Sequence, residues 1–557
     1  MAGSAFADDS KISPDLKPLL ANPSSTVNVI VQYNSTPSQS SGGGLFGGGG
    51  GLLGGLLGAV IGIVGGLVFS LLNIVAGPIH AGDVVALSNQ SNVNYISLDR
   101  PLNATLDYSA AAVGTPIVWS SGFDGTGVGI AVIDSGIYPH SDLNAANSGH
   151  SRVVYRRSFV PGIQFDDFGH GTHVAGILAG DGHSSSQPGA FRTFRGIAPN
   201  ANLLDLRVLD KNGASTDSAV IAAIEAAVQL KDKYNVRVIN LSLGRPIYES
   251  CKFDPLCQAV EAAWKHGIVV VTAAGNLGRN GYATILSPGN SPHAITVGAM
   301  KTMSSMTRND DLIASYSSKG PTYIDLTVKP DVVAPGNLVD SLLAPGSTLA
   351  TQYPANVVAP TAYLRSSNPG PAEYFQLSGT SMATPVVSGA VALMFQKDPS
   401  LSPDTVKARI MKTAYKAFPV SSTATDPSTG KSYTSMYDAF TVGAGYLDIA
   451  SAMSNYEVAT KSSASPASRY DHNSHQGYLV LNPNTNIWDS SAAWSTGAVW
   501  GTTVLPAGGT AIWNASNIWS TNVAWGTNVA WGTNVAWGTN VAWGTNVAWG
   551  TSTAGEK

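Results

Sequence analysis

The chain has 557 residues, with 31 Lys plus Arg against 35 Asp plus Glu and a net charge of −4. A balance this close to zero argues against nucleic acid as the main partner, because phosphate binding needs a basic surface. Charged residues are 12% of the chain, about half the ~25% usual for a soluble domain, while two cysteines exclude a disulfide-built scaffold or a multi-cysteine metal site.

At the N-terminus, Ala5-Phe6-Ala7 has the small-x-small form of a signal-peptidase site without the basic and apolar regions that precede one. Residues 1–8 therefore read as the remnant of a secretory signal, the alternative being a chance run of small residues. Val27 to Tyr33 alternates like a strand. A glycine- and leucine-rich segment follows over residues 42–75, and no Asp, Glu, Lys or Arg occurs between Lys17 and Asp83. Leu52 to Val75 is long enough to span a bilayer, which takes ~20 apolar residues. Its glycine density and its lack of basic flanks and aromatic belts speak against a span. A membrane-active hairpin and an apolar insertion within a small domain are the other readings. Ala81 to Gln90 then reads as a helix and Val93 to Leu98 as a second strand.

From about residue 110 to 455, apolar strands alternate with amphipathic helices, the pattern of a parallel α/β sheet. Val128 to Ile133 reads as a buried strand ending at Asp134, and Val236 to Leu243 and Ile268 to Thr272 as further strands. Ala219 to Tyr234 and Gln258 to His266 read as helices. Past residue 456 a serine-rich linker leads to a tail over residues 481–557 that holds ten of the twelve tryptophans. Trp519, Trp525, Trp531, Trp537, Trp543 and Trp549 recur every six residues in the unit Asn-Val-Ala-Trp-Gly-Thr. An even repeat puts Trp, Thr and Val on one face of an extended chain. Such a tail suits surface attachment or self-association, or is aggregation-prone low-complexity chain.

Three segments carry chemistry: Ile133-Asp134-Ser135-Gly136, Gly169-His170-Gly171-Thr172-His173, and Gly379-Thr380-Ser381-Met382-Ala383-Thr384-Pro385. Singly they are common strings, since an Asp at a strand end is more often a cap than a catalyst. In this order, with Asn240-Leu241-Ser242-Leu243-Gly244, Ala273-Ala274-Gly275-Asn276 and Lys329-Pro330-Asp331-Val332-Val333-Ala334-Pro335-Gly336, the chain resembles the subtilisin-like serine proteases.

The resemblance runs from Val128 to about Ala452 and implies an α/β fold, a subtilisin-like parallel sheet flanked by helices. The implied catalytic domain is residues 109–455, preceded by a small α+β propeptide domain over 20–108. It also implies a secreted serine endopeptidase working through an acyl-enzyme and matured by autocleavage. Ser381 is the expected nucleophile, His170 its general base and Asp134 the group that orients the imidazole. His173, a turn further on, is expected to be structural. The oxyanion would be held by the Ser381 N–H and the Asn276 amide. Substrate would pair as an added strand with Ser242, Leu243 and Gly244. Leu243 with Ala273, Ala274 and Gly275 would wall an apolar S1 pocket.

Family members commonly bind calcium as a structural ion, and Asp142 matches one frequent ligand position. The loop from Gly180 to Gly196 does not resemble the usual calcium loop. In a secreted enzyme Cys251 and Cys257 would close a small disulfide loop, with two free thiols as the alternative. Maturation is expected between Arg100 and Ala111, for instance after Tyr108. The expected partners are protein or peptide substrates and the chain's own propeptide as inhibitor, with membrane or cell-surface contact through the apolar insertion or the tail. A surface protein whose protease fold is vestigial is the rival reading.

Overall fold

A computed structural model describes residues 8–13, 16–34, 67–69, 74–98, 106–146, 149–162, 165–365, 370–426, 429–471, 476–479 and 511–513. The signal remnant, most of the glycine-leucine segment, the proposed maturation point's upstream flank and nearly all of the hexapeptide repeats lie outside these residues. The chain divides into two compact units, Met1–Asn103 and Ala104–Lys557.

In the first unit, β1 (Thr26–Tyr33) is the centre of an antiparallel sheet. β3 (Ile74–His80) pairs on one side of it and β4 (Val93–Leu98) on the other, with β2 (Leu67–Phe69) outside β3. The alternation read in the sequence has its cause in burial: Val27, Val29, Val31 and Tyr33 all point into the core. Ile79, Val93 and Ile96 join them, as do Ala81, Val84 and Leu87 from the helix Ala81–Ser88. The apolar segment thus contributes strand at residues 67–69 and 74–75. Among the described residues no helix is long and apolar enough to cross a membrane.

The second unit is built on an eight-stranded sheet. Its strands are β5 (Gly129–Asp134), β6 (Val153–Ser158), β7 (Asn202–Arg207), β8 (Val236–Leu241), β9 (Val269–Ala273), β10 (Ile295–Lys301), β11 (Leu312–Ile313) and β12 (Val332–Pro335). The order is β11-β10-β9-β8-β5-β7-β6, with β12 also on β10. Every pairing is parallel except β10 with β11. β5 is buried along its whole length, as expected of a strand covered on both faces. Ile130 and Val132 face one core with Val174, Ile177, Met382 and Val386. Ala131 and Ile133 face a second core with Val220, Ile224 and Val260.

The helix expected to run to Tyr234 spans Asp217–Gln229, and the chain turns helical again only at Lys231–Tyr234. Thr216 caps its first turn by accepting from the Ala219 N–H. Asp254 caps the helix Pro255–Lys265 in the same way, through the Leu256 N–H.

Chain order places the site. After β5 the chain goes to one side of the sheet for β6 and β7, then crosses to the other for β8 and β9. Ligand crevices in such sheets open at the carboxyl ends of strands beside this reversal. Asp134 ends β5, Ser242 follows β8, and Gly275-Asn276 follows β9.

Candidate active site

The Asp134 carboxylate Oδ1 lies 2.6 Å from His170 Nδ1, and both side chains are 1% exposed. The Ser135 N–H also donates to this oxygen, at 2.7 Å. Such an approach requires glycine beside the histidine. A Cβ on Gly171 would stand 2.2 Å from the Gly136 carbonyl oxygen and 3.1 Å from the Asp134 Cβ. His170 is the first residue of the helix His170–Ala179. Burial opposes its protonation most, but the Asp134 carboxylate, with Asp166 adding to it, moves the pKa of the imidazole upward from its ordinary value.

Ser381 lies in the first turn of the helix Thr380–Lys397, so its N–H has no intrahelical acceptor and sits at the positive end of the helix dipole. Its hydroxyl donates to the Ser242 carbonyl at 3.1 Å, and the Ser242 hydroxyl donates to the Ser381 carbonyl at 2.9 Å. Pro385 explains the second bond. It stands four residues after Ser381 and has no N–H, which leaves that helical carbonyl free to accept elsewhere. The serine helix is thereby fastened to the segment after β8. His170 Nε2 is buried and has no hydrogen-bond partner among the described residues.

Asn276 accepts the Thr380 N–H at 2.9 Å and the Thr380 hydroxyl at 3.0 Å through Oδ1. These two donors fix which end of the amide is oxygen. Nδ2 is left buried and unpaired among the described residues. His173 is structural as expected: Nε2 lies 3.0 Å from the carbonyls of Val339 and Phe375. Burial pushes its pKa down to about 3.

Around the expected substrate strand the match is partial. Leu243 and Gly244 line a cavity of about 180 Å³ whose other walls are Leu209, Ser215, Thr216, Asp217, Val220, Arg245 and Leu256. Ala273, Ala274 and Gly275 are not part of it. The Ala274 N–H and carbonyl are both taken, by Val297 and Leu286. Leu286 is the residue that fills the space next to Gly244 and Gly275, with side-chain atoms 3.0 and 2.7 Å from where a Cβ would stand on each. No periodicity in the sequence singles Leu286 out. Arg245 was missed too, although it follows the Ser-Leu-Gly string directly. Its guanidinium bridges Asp217 and Asp254 at 2.9–3.0 Å.

Cys251 and Cys257 form a disulfide, with Cα atoms 5.3 Å apart. The structure shows what surrounds Asp142, the residue matched to a calcium ligand position. Oδ2 accepts the Tyr374 hydroxyl at 2.7 Å, and Oδ1 accepts the Ser184 N–H at 2.8 Å. Burial and this neighbouring carboxylate push the Tyr374 phenol far up, so it remains a donor. Each carboxylate oxygen thus meets a donor, while calcium wants six to eight oxygens. Among the described residues no group of three or more His, Cys, Asp or Glu is placed to hold a metal.

A buried aspartate–histidine pair at a strand end, with a serine at the head of a neighbouring helix, defines the serine hydrolases that work by nucleophilic attack. The model of the Subtilase family matches residues 125–478, so the chain belongs to that family and is a serine-type endopeptidase. It is 39% identical over 328 residues to the serine protease AprX of Bacillus subtilis (strain 168), covering 58% of this chain and 69% of that one. Subtilisin DY of Bacillus licheniformis is 34% identical over 314 residues, 56% of this chain and 92% of its own. Among solved structures, a cold adapted subtilisin-like serine proteinase is 28% identical, with TM-score 0.38, over 57% of this chain and 87% of that chain.

Proposed function

We propose that this endopeptidase cuts peptide bonds with Asp134, His170 and Ser381 as its triad, through an acyl-enzyme on Ser381. The observation that carries the reading is three buried polar atoms at the site without a partner among the described residues, Asp134 Oδ2, His170 Nε2 and Asn276 Nδ2. A buried polar group without a partner costs free energy, and catalytic sites are where such groups persist because substrate completes them.

In this reading the Ser381 hydroxyl turns from the Ser242 carbonyl to His170 Nε2, which takes its proton as Oγ attacks the scissile carbonyl. Asp134 holds the imidazolium. The oxyanion accepts from Asn276 Nδ2 and the Ser381 N–H. The proton then passes from His170 to the leaving amine, and water, deprotonated by His170, releases the acyl group. Substrate lies along Ser242, Leu243 and Gly244, with the cavity beside Leu243 taking an apolar side chain.

The protein acts as a secreted precursor whose residues 20–108 are an inhibitory propeptide, removed by self-cleavage between Arg100 and Ala111. A separate core within Met1–Asn103 supports this.

A fluorophosphonate serine-hydrolase probe tests the chemistry. The adduct is expected on Ser381 by peptide mapping, and Ser381→Ala is expected to lose both the label and casein cleavage. Mature, folded protein that takes no label would end this reading. N-terminal sequencing of the mature enzyme tests the propeptide, and a start well outside residues 101–111 would refute self-cleavage in that window.

A further inference from the structure

Asp166 is a second carboxylate buried at this site, 3% exposed, and the triad does not use it. We infer that Asp166 is a positioning residue for His170, building the turn that presents the histidine and holding a negative charge that favours its protonated form. The inference rests on the triad reading above.

Five donors converge on the carboxylate. Oδ1 accepts the Ser135 hydroxyl at 2.8 Å, the Gly169 N–H at 2.7 Å and the Phe168 N–H at 3.2 Å. Oδ2 accepts the Thr172 N–H at 2.9 Å and the Thr172 hydroxyl at 2.7 Å. Both hydroxyls also accept a backbone N–H. Ser135 Oγ already accepts the Gly171 N–H at 2.8 Å, and Thr172 Oγ1 the Tyr138 N–H at 2.9 Å. Each oxygen of Asp166 therefore faces at least one backbone N–H, and only a group that accepts on both sides fits. An amide at this position would point N–H at N–H in either orientation.

These bonds join the two halves of the Asp134–His170 pair. Ser135 follows Asp134, while Phe168, Gly169 and Thr172 flank His170 on both sides. Gly136, at φ +112, lets the two segments close, since a Cβ there would lie 3.2 Å from the Asp166 backbone. The Asp134–His170 contact is thus set by a carboxylate that touches neither substrate nor the reacting atoms.

Burial raises the pKa of Asp166, and the hydrogen bonds it accepts from Gly169, Thr172 and Ser135 oppose that rise. Asp134 and Asp166 both favour the imidazolium of His170. His173, on the same helix, is kept neutral by burial. Beyond Asp166, the cations Arg156 and Arg207 pair with Asp205 at 2.7 Å and with Asp167 at 2.8 Å, and burial, with Asp166 adding to it, pushes Asp205 up to about 7. Removing the charge of Asp166 destabilises the imidazolium. The base then stays unprotonated to lower pH.

The experiment is the pH dependence of kcat/KM on a chromogenic peptide, measured on mature enzyme and normalised to sites titrated with a fluorophosphonate. For Asp166→Asn the acid limb is expected to move to lower pH by about half a unit while the plateau falls on the order of 10-fold. For Ser135→Ala, which keeps both carboxylates but cuts the link to the Gly171 N–H, kcat is expected to fall with the limb unmoved. An unmoved limb in Asp166→Asn overturns the charge effect. An unchanged kcat in Ser135→Ala overturns the positioning role, even if Asp166→Asn does not fold. Ser381→Ala is run alongside: residual proteolysis there would remove the triad reading itself, whatever the other variants do.

Discussion

At the scale of single residues, the proposed oxyanion contact turns on Asn276. Its oxygen is committed to Thr380, at the head of the serine helix, which leaves Nδ2 as the end that can meet an oxyanion. Asn276→Leu keeps the volume and loses the donor. Its kcat is expected to drop about 10²–10³-fold, or ~2.7–4 kcal/mol, a magnitude that itself comes from a subtilisin. KM should stay near wild type, because the donor acts on charge present only in the transition state. Steady-state kinetics on a peptide substrate checks this, and a change confined to KM would make Asn276 a substrate-binding residue instead.

At the scale of elements, hydrogen bonds and a disulfide stand at positions where a metal or a free loop was open to expectation. Tyr374 is on a strand, Tyr374–Leu377, distant in sequence from Asp142, and its hydroxyl ties that strand to the loop after β5. Tyr374→Phe leaves a buried carboxylate oxygen short of a donor and is expected to cost ~1–3 kcal/mol. Urea denaturation in a Ser381→Ala background, where self-digestion is removed, reads this directly. No change in midpoint would mean that another donor replaces the hydroxyl.

The disulfide closes a loop that contains Asp254. Asp254 is fully buried and accepts from Ser287, Leu256 and Arg245. Replacing both cysteines with serine should cost about 2 kcal/mol by the loop-entropy estimate. Arg245 borders the cavity beside Gly244, so KM for extended peptides is expected to rise more than KM for short ones.

At the scale of the whole molecule, the most consequential charge arrangement lies away from the site. Lys329, Lys407 and Asp331 are each 0% exposed. Asp331 takes Lys329 at 2.7 Å and Lys407 at 3.1 Å. Two lysines share one carboxylate, which leaves one positive charge uncompensated when both are protonated. Burial is the main cause that pushes Lys329 down, to about 7 from 10.5. In the unfolded chain the same amine stays protonated up to its ordinary value. The unfolded state therefore binds more protons between these limits, and stability rises with pH across that window. Below pH 7 the full cost of the extra charge is carried by the folded state. The thermal midpoint of Ser381→Ala protein is expected to climb from pH 7 to pH 10, and Lys329→Met should flatten the climb. A midpoint that falls over this range in both proteins would mean that other groups dominate.

What the sequence determined by itself was chemistry that depends on local order. The strand before Asp134, the glycine on each side of His170 and the serine entering a helix are short-range patterns, because strand burial, close backbone approach and helix termini act over a few residues. The family's order of motifs then linked them. The alternation of Val27, Val29 and Val31 likewise announced one buried face of a sheet. What only the tertiary structure decided was pairing between distant segments. Nothing local ties Asp142 to Tyr374, Asp166 to Ser135, Leu286 to Gly244 or Lys407 to Asp331, since each bond joins residues brought together by sheet order and helix packing. The donor that meets Asp142 Oδ2, for instance, comes from a strand more than two hundred residues away.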